Sequence, residues 1–216
     1  MVNEFEIIRK ALSMYNIEMQ DDDFVMPHEG GVEKHELTVC KMWLESAFQR
    51  VLKSFKWTFF TEPISLDSPS EDGGVVQSNA VFSSGVAPSS FFGFRNAFKL
   101  AEPLFTVCSV ITRKDHREGV IYKLYNGVIY TNAHEIEVFG IKKKSIAESL
   151  ENEAVPLEFW DAVAYMLAEL IAPSLAPKDM AIQQLIMSQY QLVLQTLMTT
   201  ETTSGIKRIS NEELEG

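Results

Sequence analysis

Apolar residues recur at three- and four-residue steps from Leu37 through Cys40, Met42, Leu44, Ala47, Phe48, Val51 and Leu52 to Phe55. That spacing predicts a helix over 33–55 with one continuous apolar stripe, which must meet a core. At Trp57 the period changes: Trp57-Thr58-Phe59-Phe60-Thr61 is a β-branched and aromatic run, read as an extended segment ending at Pro63. Upstream, Phe5, Ile7, Ile8, Ala11, Leu12 and Tyr15 keep helical spacing behind Asn3, and Glu4 and Glu6 stand in the first turn, where the helix dipole favours acid. This predicts a short helix over 3–15. After Pro156, the positions Leu157, Trp160, Val163, Ala164, Leu167, Ala168 and Ile171 form one stripe over 156–172, with Pro156 at a first-turn position and Pro173 as the stop. Behind Pro177 the same spacing runs through Ile182, Leu185, Ile186, Gln189, Val193, Leu194 and Leu197, a helix over 177–198. The link between these two helices is so short that they should pack antiparallel.

Between the helices the pattern shortens to strands. Leu104 to Ile111 is a near-continuous apolar run of β type, read as a buried strand. Val120 to Tyr125, Val128 to Tyr130 and Glu135 to Ile141 follow, the first two separated by Asn126-Gly127, a dipeptide that suits the positive φ of a type I′ turn. An antiparallel meander over about 98–141 is expected, with Asn132-Ala133-His134 as its second turn. The fold class is thus α+β and mainly helical: an antiparallel bundle of about four helices with a small antiparallel sheet. One domain over 1–198 is expected, followed by an extended C-terminal arm over 199–216, where only Ile206, Ile209 and Leu214 are apolar.

Two internal stretches are polar. Residues 16–31 carry Asp21, Asp22, Asp23, Pro27, Gly30 and Gly31 and read as a loop; three adjacent Asp lack the alternating ligands of a calcium loop and suit a solvated turn. Residues 65–90 are dominated by Ser, Gly, Asp and Pro, with Val75, Val76 and Phe82 as short apolar touches. They form either a long loop or one hairpin, and either an inert insertion or a segment that contacts a neighbouring subunit.

Composition narrows the function. With 216 residues, 46% of them hydrophobic, the chain can bury a substantial core, and a net charge of −11 argues against gripping nucleic acid by neutralising phosphates. The only basic run, Lys142-Lys143-Lys144, is either a solvated strand end or a dock for an acidic surface, and Arg113 to Glu118 reads as a solvated hairpin tip. No stretch approaches the ~18 apolar residues of a membrane span, and the start of the chain lacks a signal-peptide pattern, so a soluble protein made in a cytoplasm is expected, with no membrane partner. Cys40 and Cys108 read as separate buried thiols.

No constellation for chemistry assembles. The sequence has no G-x-S-x-G elbow, H-E-x-x-H, paired C-x-x-C or Walker loop, and Gly73-Gly74 lacks the following Lys and Ser/Thr. His28, His35, His116 and His134 fall in loops or polar positions without metal spacing. No enzyme, metal or cofactor is expected.

Several packing motifs, in order, resemble those of the tail tubular protein A family of short-tailed phages, the head-to-tail adaptors under the portal. A family helix ends in a motif of the type A-R-x-x-L-x-x-x-x-W-x-F; here Ala47-Phe48-Gln49-Arg50-Val51-Leu52 and Trp57-Thr58-Phe59 are similar, followed by Ile64-Ser65-Leu66. Phe98-Lys99-Leu100 with Pro103 and Leu104-Phe105-Thr106-Val107 is similar to the family's aromatic-x-Leu-Pro turn before a strand, though displaced. Phe159-Trp160 with Ala162, Ala164 and Ala168 resembles its aromatic-led helix with a small-residue stripe. Lys56 stands where the family commonly has Pro, and neither the 65–90 stretch nor the turn at Arg113 belongs to its pattern.

The resemblance implies a virion structural protein at the head–tail junction, assembled in a host cytoplasm. Copies would form a ring, dodecameric in the virion, binding the portal protein above and the tail nozzle, tubular protein B, below. DNA would pass through the channel without specific binding, which an acid excess favours. Arg50, Trp57, Phe59 and Trp160 would be the core motif. Val75, Val76, Phe82, Ile206, Lys207, Arg208, Ile209 and Leu214 would make the portal and subunit contacts. The competing expectation is a cytoplasmic helical adaptor or regulator outside any virion, dimeric through the helix pair over 157–197.

Overall fold

The computed structural model describes residues 2–20, 34–66, 94, 96–102, 104–112, 119–133, 135–176 and 179–212, with 203–212 described by backbone alone. The described residues form five α-helices and two three-stranded antiparallel sheets, an α+β fold that is mainly helical. Where one domain was expected, the chain divides into two compact units: Met1–Phe59 with Lys144–Gly216, and Phe60–Lys143. The division follows from the strands, which pair only among themselves.

In the helical unit, α1 (Glu4–Ser13) opens with the expected Asn3 cap, completed by Glu6 into a reciprocal box: the Asn3 side chain accepts from the Glu6 N–H, and the Glu6 side chain accepts from the Asn3 N–H. Helix α2 (His35–Ser54) buries Leu37, Val39, Cys40, Leu44, Ala47, Phe48, Val51 and Leu52. The central element is α4 (Leu157–Leu175), packed by α2, α5 and α1. A helix covered from three directions is apolar around most of its circumference. Ala162, Ala164, Ala168 and Ala172, all buried, keep its surface low enough for its neighbours to approach. Pro173 does not stop α4 but lies inside its last turn, where a missing N–H removes one ladder bond near the helix end; the Ala176 N–H closes the end on the Ala172 carbonyl.

Helix α5 (Met180–Glu212) returns along α4 after the short connection and is far longer than expected. The extended arm placed at 199–216 is helical through Glu212. The Thr residues that suggested an arm are accommodated: the hydroxyls of Thr196, Thr199, Thr200 and Thr202 donate to the carbonyls of Leu192, Gln195, Thr196 and Met198, one turn earlier. The five-residue α3 (Ile146–Leu150) has no apolar stripe long enough to be predicted. Its sequence mark is Ser145-x-x-Glu148, a second reciprocal capping box.

The strand unit departs from a meander. Strand β1 (Glu62–Ile64) holds Pro63, which is tolerated because β1 is an edge paired only to β6. Strands β4 (Tyr122–Tyr125) and β5 (Val128–Thr131) form the expected hairpin, with Asn126 and Gly127 at φ of 48° and 73°. β5 does not go on to pair β6 (Ile136–Lys142), because its other edge is taken by β2 (Asn96–Lys99). The chain therefore crosses to a second sheet of order β1-β6-β3, with β3 spanning Leu104–Thr112. The turn that allows the crossing is fixed by buried Thr131, whose hydroxyl donates to the Ile121 carbonyl and accepts from the Ala133 N–H. Gly140 is central in β6: a Cβ there would lie 2.8 Å from the Thr106 carbonyl oxygen. Ile64, Leu100, Val107, Val110, Ile129, Ile136 and Val138 form the core of this unit.

Candidate assembly surface

The surface is built on an aromatic corner. The Trp57 indole N–H donates 3.1 Å to the Val51 carbonyl, one of the orphan acceptors at the end of α2. That bond folds the chain back, so Thr58–Phe60 is a 3-10 turn and not the extended run expected. Trp57, fully buried, stacks on Phe59 at 5.7 Å and meets Phe159 edge-on at 5.6 Å. Phe159 in turn meets Trp160 at 5.3 Å, and Phe48 stacks on Trp160 at 6.1 Å. The geometry is of the favoured T-shaped and stacked kinds. From α5, the Glu201 carboxylate accepts from the Thr58 N–H at 2.9 Å and from its hydroxyl, tying the long helix to the turn.

Of the residues expected in the core motif, Trp57 and Trp160 are buried and Phe59 is half-buried, but Arg50 is exposed on α2. A guanidinium at that position would need a buried partner to face inward, so it stays at the surface near Tyr190. Tyr190 titrates above its usual range because it is buried and because Glu169 is near, with Arg50 opposing. Tyr15 is pushed up to about 12 by burial and by the same Glu169, and its hydroxyl donates 2.7 Å to the Ala168 carbonyl. Burial, reinforced by Glu36, raises the Cys40 thiol to about 12, the signature of a packed thiol. Neither Cys40 nor Cys108 is in a disulfide, and where both were expected buried, Cys108 is only half-buried.

The expected contact residues are differently placed. Val75, Val76, Phe82 and Leu214 lie outside the described residues, as do His28, His116, His134, Asp21 to Asp23 and the Arg113 turn. Ile206, Lys207, Arg208 and Ile209 fall on the helical backbone of α5. In the Lys run, Lys142 pairs with Glu102 at 2.9 Å and the Lys144 carbonyl accepts from Gln49 Nε2 at 2.8 Å, as suits a strand end held in place.

What periodicity alone missed is the outer side of the helices. On α5, Leu185, which the spacing placed in the apolar stripe, and Leu192 are 59% and 58% exposed; on α2, Met42, also placed in its stripe, is 71% exposed because it lies off the buried side, and Trp43 stands beside it. A signal existed: α5 carries apolar residues on all sides, more than one buried stripe uses. At the start of α4, exposed Leu157 borders an open cleft of about 360 Å³ that also touches Val155 and Trp160. Among the described residues no group of three His, Cys, Asp or Glu comes together to hold a metal ion, and no helix is long and apolar enough to cross a membrane.

The class these features define is a mainly helical α+β protein with a strand unit and an apolar outer helix face. Neither protein-family models nor curated proteins give a match to the chain.

Proposed function

We propose that this chain is a head-to-tail adaptor of a short-tailed phage, a structural subunit that assembles as a ring between portal and nozzle and lets DNA pass. The observation that carries the reading is the aromatic corner: Trp57, Phe59, Phe159 and Trp160, four of the residues that carry the family resemblance, converge in one cluster joining the end of α2 to the start of α4. The exposed apolar face of α5 adds support, since a subunit built for assembly must leave such a surface uncovered until its neighbours arrive. The net charge of −11 suits a channel wall that repels phosphate.

The test is co-sedimentation with portal rings encoded beside this chain. Co-sedimentation in a fixed ratio is expected, and a chain that stays at the top of the gradient at all ratios overturns the assignment. Truncation after Thr202 keeps the Glu201–Thr58 tie and removes Ile206, Lys207, Arg208, Ile209 and Leu214. Loss of portal binding is expected, with circular dichroism reduced only by the helical residues removed; full binding by the truncated chain removes this tail from the portal contact.

A further inference from the structure

We propose that the outer face of α5 packs against the Met42-Trp43 face of α2 on a second copy of this chain, a head-to-tail contact able to repeat around a ring. Closure of that ring rests on the adaptor reading above; the contact itself does not. From Met180 to Thr200 not one residue is Asp, Glu, Lys or Arg, in a chain where 23% of residues are charged. Ala181, Leu185, Ser188, Leu192, Gln195 and Thr199 follow at alternating steps of four and three, the spacing of one straight stripe, and all six are exposed. Leu185 and Leu192 are thus two turns apart on it, about 10 Å, with small Ser188 between them leaving room for an inserted side chain.

Charge selects the occupant. Two copies that each carry −11 repel, so they meet where the local charge is near zero on both sides. The start of α4 is excluded, because Glu148, Glu151, Glu153 and Glu158 are all exposed there. The α5 stripe has no charge, and on α2 the exposed pair Met42-Trp43 is flanked by Lys41 and Glu45, whose charges cancel. Trp and Met are side chains enriched at the centres of protein contacts. Two different patches on one subunit make a heterologous contact, the kind that closes rings, whereas one patch meeting itself makes a two-fold dimer and stops.

Sedimentation velocity of the full chain from about 10 µM to about 1 mM tests this. The wild type should sediment faster as concentration rises. Leu192→Glu and Met42→Glu, both at exposed positions, should keep native circular dichroism and associate at least tenfold more weakly. Mixed one to one, they should form a 1:1 pair that grows no further, because each variant retains the face the other has lost. Wild-type-like association of Met42→Glu overturns the pairing in favour of α5 against α5, and wild-type-like association of Leu192→Glu removes α5 altogether. A mixture that fails to pair, or a wild type monomeric throughout, also overturns the contact; neither result touches the portal experiment, which judges the adaptor assignment separately.

Discussion

Trp57 sits where three demands meet: its ring fills the space against Phe159, its N–H satisfies the Val51 carbonyl, and its backbone starts the turn that Glu201 holds. Trp57→Ala should therefore cost about 3–5 kcal/mol by chemical denaturation. A loss below about 1 kcal/mol would mean that the site collapses without a cavity. Tyr15 gives a pH test. Its phenol is neutral in the fold up to about 12 but ionises near its ordinary 10.0 once unfolded, so native protein holds the extra proton in that window and stability falls as pH rises from about 10 to about 12. Tyr15→Phe should flatten that part of the curve; at neutral pH it loses the bond to the Ala168 carbonyl, about 0.5–1.5 kcal/mol. An unchanged alkaline slope in the Phe variant would place the titration elsewhere. Gly140→Ala pushes a methyl onto the Thr106 carbonyl between two packed strands, and about 1–3 kcal/mol of destabilisation is expected from thermal melts.

Among the elements, caps are the most local features and the easiest to test. Asn3→Ala and Ser145→Ala each remove half of a reciprocal box, and each should lower stability by about 1 kcal/mol. The same locality explains what the amino-acid order reveals. The stripe from Leu37 to Leu52, apart from exposed Met42, the Asn3 cap and the Asn126-Gly127 hairpin depend on neighbours within a few residues, and all three appear in the fold. The crossing of β6 to β1 and β3 depends on β2 having already occupied β5, a fact stored more than thirty residues away in sequence. Likewise, the turn at Thr58 depends on Glu201, and the helical course of α5 beyond residue 198 overrides a composition that suggests an arm. Of the candidate surface, the aromatic corner was legible as a motif. The exposed face of α5 was not singled out: with apolar residues on all sides of the helix, spacing could not tell the buried side from the outer one, and Leu185 was read into the buried stripe.

For the whole molecule, the controlling quantity is the charge of −11 set against an uncharged helix face. If copies meet at that face, salt screens their general repulsion while leaving the contact intact, so association should strengthen between about 50 and about 500 mM salt. Weakening over that range would indicate ion pairs at the contact instead. The threonines of α5 bear on the same event from another side. Thr196, Thr199, Thr200 and Thr202 have already given their hydroxyl protons to carbonyls of their own helix. These four hydroxyls can be stripped of water without stranding their protons. These threonines of α5 can thus stand wetted in a lone subunit and be dried in an assembly with the same bonds in both.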